Sequence, residues 1–391
     1  MLDFLNYKFD LLSIILAGAA VIMLLYQCIF YVLFLMYNVL HKNKEHSTYN
    51  IENSKYKGVS VIVITNNNAD ALRESLLQVL EQDYPLFEVV VVNENSTDDT
   101  EFILYVLKEN YPNLTVINLG KNDNKFESYK FSLAIGIRSA KYPTVLLTDV
   151  TCSPKSYDWI TKMMAPVNAD SKTKIVTGLC LREKNKGLAG ALEQYDEGLS
   201  YMNLITYTSL GNPYTSCGMN MCYDKSFFIN NSGFIPQYSL NCNQEDYFVS
   251  HHANKHNTSL VTDKESFVYL PAYSSFAAFF RVKFASSLSK KVLKLKDKIL
   301  LSLLPVSTFL YYALIVLLLI FSFPWQYIVL SVVIKWISQV IIYKKCMAKL
   351  EIKKNWIFVP LFEIFFLFFN FIIRVKVLFY RKREKKIKWK E

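Results

Sequence analysis

Four acidic residues stand where this sequence could do chemistry. Asp149 closes the run PTVLLTD (143–149), Glu94 follows LFEVVVVN (86–93), and Glu245 and Asp246 sit side by side in NQEDYFVSH (243–251). A carboxylate at the tip of a buried strand can hold a hard divalent cation beside a charged substrate. An acidic side chain at the start of a helix can take the proton of an attacking hydroxyl, and a positioned base is typically worth about 10²–10⁴ in rate.

The elements that must position these groups are legible as alternating strands and helices. GVSVIVIT (58–65) is a continuous β-branched run, expected of a strand buried on both faces. A helix is expected over 70–82, with Leu72, Leu76, Leu77 and Leu80 at helical spacing. STDDT (96–100) offers Ser96 or Thr97 as a helix cap, with Asp98 and Asp99 favourable against the helix dipole. LTVINL (114–119), a helix over 126–141 and the strand 143–149 extend the pattern to an open, mostly parallel α/β sheet. Ligands of such sheets bind beyond the carboxyl ends of the strands. Residues 65–70, 93–96 and 149–152, with Thr65, Asn67, Glu94 and Asp149 among them, therefore form the expected site rim.

Composition places this domain in a membrane protein. Of 391 residues, 52% are hydrophobic and 20% charged, which excludes a disordered chain. There is no G-x-G-x-x-G or G-x-x-x-x-G-K motif, which removes the simplest dinucleotide and P-loop readings. The formal net charge is +11, yet basic clusters at 290–298, 344–354 and 374–391 together carry +15, leaving −4 elsewhere. A nucleic-acid binder would spread its charge over one face of the folded domain, so no nucleic-acid partner is expected. Basic clusters beside apolar runs face anionic membrane lipid instead.

Residues 11–40 hold thirty positions without a charge and read as a retained transmembrane signal anchor. His41, Lys42 and Lys44 follow it, which puts residues 1–10 outside the cytoplasm and the middle of the chain within, at the cell's inner membrane. The expected organisation continues with a linker (41–55), a cytoplasmic domain (56–290), transmembrane helices at 299–323 and 325–343, a transmembrane or interfacial helix at 356–379 and a basic tail (380–391). Seven cysteines without a C-x-x-C pair are expected as reduced thiols in that compartment, and their spacing speaks against zinc. His252 and His256 fall at i, i+4 and are expected on a solvated helix face. Leu192, Tyr195, Leu199 and Met202 form a stripe expected in core or membrane-surface packing. Lys335 and Glu363, inside apolar runs, could form a functional pair, but snorkelling from helix ends is the expectation.

The order of motifs is more specific than any one of them. VSVIVITNNNADALRESLLQVLEQDYP, FEVVVVNENSTDDT, VLLTDVT, GNPYTSCGMNMCYDKSFF and NQEDYFVSH resemble the successive motifs of family 2 glycosyltransferases over about residues 58–290. The resemblance implies a GT-A fold, a Rossmann-like mixed sheet flanked by transmembrane helices. It also implies an inverting enzyme moving a sugar from a nucleotide-diphosphate donor to a lipid-linked or surface-glycan acceptor. By that resemblance Thr65, Asn67, Glu94, Lys130 and Asp149 bind the donor, and Asp149 holds Mg²⁺ or Mn²⁺. Asp246, beside Glu245, is the catalytic base. The sequence departs from the family pattern at Thr151, where the second D-x-D carboxylate would stand, and at Val282 and Phe284, where Gln and Arg of Q-x-x-R-W would fall. Those departures raise an alternative, a catalytically impaired paralogue serving as a partner in polysaccharide assembly.

Overall fold

The computed structural model describes residues 10–40, 56–120, 128–238, 243–352 and 355–388. The N-terminal residues 1–9, the linker 41–55 and the expected helix start at 126 lie outside them. The chain divides into two compact units. One contains residues 42–190 and 207–293, and the other contains 1–41, 191–206 and 294–391.

The first unit is built on strands β1 (Val59–Thr65), β2 (Phe87–Glu94), β3 (Leu114–Leu119), β4 (Thr144–Asp149), β5 (Ser153–Pro154), β6 (Ile175–Thr177), β7 (Cys180–Arg182), β8 (Met221–Asp224), β9 (Thr258–Leu260) and β10 (Val268–Leu270). Helices of the chain are α1 (Leu11–Leu35), α2 (Ala69–Ala71), α3 (Leu77–Leu80), α4 (Thr100–Asn110), α5 (Ser128–Ser139), α6 (Trp159–Ala169), α7 (Gly187–Ser209), α8 (Lys225–Asn230), α9 (Gln244–His252), α10 (Phe276–Ser289), α11 (Leu295–Ile320), α12 (Trp325–Lys349) and α13 (Val359–Lys388). The helix expected over 70–82 forms as α2 and α3 joined through a π-turn, Leu72–Leu76.

Among the described residues the main sheet has the order β3-β2-β1-β4-β8-β6-β9. Strands β1 to β4 pair in parallel and β8 runs antiparallel between β4 and β6, so the sheet is mixed. All seven residues of β1 are buried, as a strand covered on both faces requires. One core layer packs Val61, Val63, Leu76, Trp159 and Met163, and the other packs Ile62, Ile64, Leu133, Ile137 and Tyr223. Helix α5 lies close on the sheet at Gly136, where an added Cβ would meet Ile62 at 2.6 Å.

Asn220 locks this unit. Its side-chain oxygen accepts from Trp159 Nε1 at 2.9 Å, and its amide donates to the carbonyls of Leu179 (2.9 Å) and Ser266 (2.8 Å). All of this is buried, and since Val268 N–H still donates to the Leu179 carbonyl, truncation leaves Trp159 Nε1 and the Ser266 carbonyl without these partners, each costing roughly 1–3 kcal/mol. Asn220→Ala is expected to destabilise the domain by about 3–5 kcal/mol, read as a lowered denaturant midpoint.

Two expectations are corrected in this unit. Cys180 and Cys217 are joined as a disulfide, not left as thiols, because β7 and the segment before β8 bring their Cα atoms to 6.3 Å across 37 residues of sequence. Helix α9 ends at His252, and His256 lies beyond it in a turn, so the two histidines share no helix face.

The second unit is helical. Four of its helices are long and apolar enough to cross a membrane: Leu11–Leu40, Leu295–Ile320, Trp325–Lys349 and Trp356–Tyr380. Val359, Phe362, Phe366, Phe369, Ile373 and Val377 of α13 are buried at three- and four-residue intervals, so one stripe of this helix is covered from Val359 to Val377. Tyr195, in the part of α7 that belongs to this unit, stacks on Tyr343 at 6.0 Å and packs on Phe366. Lys335 does not snorkel. It is 0% exposed and ion-paired with Glu363, because the other helices surround it before its side chain could reach an interface.

Candidate functional site

The carboxyl ends of β1, β2 and β4 converge by register. Thr65 lies opposite Asn93, and Ile64 opposite Asp149. Thr65 is fully buried, a wall of the rim and not an open contact. Beyond β1 and β2 the chain turns through Asn67 (φ 52°) and Asn95 (φ 50°), left-handed conformations that asparagine tolerates better than most residues. The two turns are stitched together. Asn67 N donates to Ser96 Oγ at 2.9 Å, Thr97 N donates to Asn67 Oδ1 at 2.7 Å, and Asn66 Nδ2 donates to the Glu94 carbonyl. Asn67 thus holds the shape of the rim through both its backbone and its side chain.

Asp149 is fixed by its own turn. Its Oδ1 accepts from Thr151 N at 2.9 Å and Thr151 Oγ1 at 2.7 Å, so the residue at the missing second carboxylate orients the first. Among the described residues no three His, Cys, Asp or Glu side chains group as a metal site. One fixed carboxylate with its second oxygen unengaged fits a divalent cation that arrives on a diphosphate, since Mg²⁺ is commonly held by one or two carboxylates plus substrate phosphates.

Tyr129, which sequence reasoning missed, marks where these groups meet. It is partly buried against the sheet, and the charges of Asp149, Glu245 and Glu94 all act on its hydroxyl, which desolvation first and those charges second hold well above the usual tyrosine range. Three of the sequence-predicted carboxylates therefore act on one phenol. Lys130, its neighbour on α5, is 2% exposed, and its charge acts on Glu245. Only the position of Tyr129 beside Lys130 in the sequence hinted at it.

Glu245 and Asp246 occupy the first turn of α9, after its N-cap Asn243. Asp246 is buried. Thr215 Oγ1 donates to its Oδ1, and Asn243 Nδ2 donates to its Oδ2 at 3.1 Å. Asn243 is itself held through its N–H to Ser289 Oγ at 2.6 Å. Desolvation raises the Asp246 carboxyl, and the hydrogen bonds from Thr215 and Ser289 oppose the rise. Glu245 is raised further, by burial first and then by the charge of Asp246. A raised pKa brings a carboxylate nearer the strength of base that neutral-pH proton transfer needs. Thr215 and Asn243 lie inside motifs visible in the sequence, but nothing there singled them out.

The raised Glu245 has a consequence for stability. Ionising a carboxyl whose folded pKa exceeds its unfolded value costs folding free energy, so stability falls as pH rises through the folded pKa. Glu245→Gln is therefore expected to raise Tm by a few degrees (about 3–8 °C) at alkaline pH and to leave it nearly unchanged at pH below the ordinary carboxylate range, as thermal melts across pH will read. The segment where the family's Q-x-x-R-W would fall forms α10, on which Arg281 is exposed and Lys283 half-buried.

Comparison with known proteins agrees with this geometry. Residues 60–232 match the family model described as Glycosyl transferase family 2. No curated protein matches the sequence. Among solved structures, the mannosyltransferase PcManGT from Pyrobaculum calidifontis, in complex with GDP-Man and Mn²⁺, is 18% identical over 77% of this chain and 86% of its own, with a TM-score of 0.50. Residues 1–349 of TarS from S. aureus are 18% identical over 66% of this chain and 72% of that one, with a TM-score of 0.43. The mixed sheet has the GT-A fold. Residues 60–232 thus form a Glycosyl transferase family 2 domain, and the chain is a glycosyltransferase.

Proposed function

We propose that this chain moves a sugar from a nucleotide-diphosphate donor to an acceptor hydroxyl by a single displacement with inversion. The observation that carries the reading is the register that brings Thr65, Asn93 and Asp149 to one end of the sheet, where the charges of Glu94, Asp149 and Glu245 all act on Tyr129. In the reaction, the acceptor oxygen bonds to the anomeric carbon as the bond from that carbon to the diphosphate oxygen breaks. The electron pair leaves with the diphosphate, and the acceptor proton passes to Asp246. Glu94 and the stitched rim contact the nucleoside, while Asp149 faces the diphosphate. A divalent cation held by Asp149 would neutralise the charge that grows on the leaving group.

The acceptor is a lipid-linked or surface-glycan hydroxyl, a reading supported by the four apolar helices that tie the chain to a bilayer. Lysines 42 and 44 after the first span and the five of 290–298 favour a cytoplasmic domain; the Cys180–Cys217 disulfide weighs the other way. Cleavage of the domain by protease added outside intact spheroplasts would reverse this orientation.

The direct test titrates the full-length protein with UDP- and GDP-sugars, with and without Mn²⁺, and follows release of the nucleoside diphosphate. Saturable binding with turnover and an inverted anomeric configuration is the expected result. Absence of binding to every donor would leave the chain as an assembly partner, the role that the Thr151 departure favours.

A further inference from the structure

One partner of the base comes from a segment with no secondary structure of its own. Residues 212–217 connect α7 to β8 outside any helix or strand, and they carry Thr215, whose hydroxyl donates to Asp246 Oδ1. Side-chain links pin this segment. Tyr214 packs edge-on against Tyr207 at 5.8 Å between ring centres, and Ser216 Oγ shares a hydrogen bond with Thr177 Oγ1 of β6. Cys217, two residues from Thr215, is bonded to Cys180.

The far end of that bond is firmly held. Cys180 starts β7 and lies opposite Val268 of β10. The Leu179 carbonyl just before it accepts from Val268 N at 3.2 Å and from the Asn220 amide at 2.9 Å. The disulfide therefore ties the irregular segment to a fixed strand, 37 residues away in sequence. A hydroxyl pair and a ring contact are each modest in net strength. The covalent link is the strongest of the three, and redox chemistry can remove it.

We propose that the Cys180–Cys217 disulfide is a redox-controlled strut for the catalytic base: closed, it holds Thr215 against Asp246, and reduced, it releases the segment and slows transfer. This rests on the reading of Asp246 as the base. Cys180 is buried and Cys217 half-buried, so a dithiol reductant meets the Cys217 sulfur. Its thiolate attacks Cys217 Sγ, Cys180 leaves as a thiolate and takes up a proton, and the second thiol of the reductant then releases Cys217. The chain gains two thiols and the dithiol becomes a disulfide. Where the compartment keeps thiols reduced, a disulfide that forms is usually redox-sensing or catalytic.

The test compares the full-length protein in detergent micelles after oxidation with diamide and after reduction with dithiothreitol. Among the described residues Cys28, Cys152, Cys222 and Cys346 are free, so there the reductant breaks this bond alone. Non-reducing peptide mapping should join Cys180 to Cys217 in the oxidised protein. Reduction should make chymotryptic cleavage after Tyr214 about tenfold faster or more, as the segment opens. It should lower kcat by roughly 10- to 100-fold, the cost of moving a reacting group by about 1 Å, and leave the donor KM within about twofold. In Thr215→Val reduction should lower kcat no further, and Thr215→Ser should restore the redox response. Failure to find the bond overturns the proposal, as does equal cleavage or equal kcat in the two states. A redox loss in Thr215→Val as large as in the unaltered protein overturns the route through Thr215. A protein that transfers no sugar in either state removes the transferase reading instead, and the mapping and cleavage results still decide whether the bond controls this segment.

Discussion

Asp246→Asn is expected to lower the rate of sugar transfer by about 10²–10⁴ while donor affinity stays within about twofold of the unaltered protein. The substitution keeps the shape of the side chain and one of its two acceptors, so the bond from Thr215 can persist while the oxygen that accepts from Asn243 is lost. It removes the basic oxygen that takes the acceptor proton. Isothermal titration with the donor and a turnover assay read the two effects separately. Undiminished transfer would remove Asp246 from the mechanism, and a parallel loss of donor affinity would make it a binding residue. Because burial raises this carboxyl, the unaltered enzyme should also lose activity as pH falls and the base protonates. Glu245, raised by burial and then by the charge of Asp246, is still protonated while Asp246 titrates, so Glu245→Gln should leave that acid limb in place.

Lys335→Met is expected to destabilise the helical unit by about 3–5 kcal/mol, as breaking a buried ion pair does. The remaining Glu363 carboxylate would keep its bonds from Tyr31, Thr308 and Tyr312 but lose its counter-charge in an apolar bundle. Adding Glu363→Leu to Lys335→Met should recover most of the loss, because a matched apolar pair of similar volume is often as stable as the ion pair it replaces. Thermal unfolding of the single and double variants in micelles reads this. A single variant as stable as the parent would mean that Lys335 reaches water after all.

Much of the sheet domain was legible because buried parallel strands carry an unbroken apolar run. The expected strands at 58–65, 86–93, 114–119 and 143–149 sit within one residue of β1, β2, β3 and β4. The rim was legible too, since register carries Thr65, Asn93 and Asp149 to the same end of the sheet once the strands are parallel. The interior partners of that rim were not. Tyr129 reads as an ordinary helix residue, and the action of three carboxylates on it depends on tertiary packing.

By itself, the sequence determined what depends on periodicity and charge along the chain: the alternating elements, the four apolar helices and the acidic residues at strand and helix ends. Tertiary structure alone decided which distant groups meet. It joined Cys180 to Cys217, Lys335 to Glu363, and Thr215 to Asp246. Each of these pairs is brought together by packing, and hydrophobic burial fixes the approach of two surfaces without specifying, in either local sequence, which polar group will stand opposite.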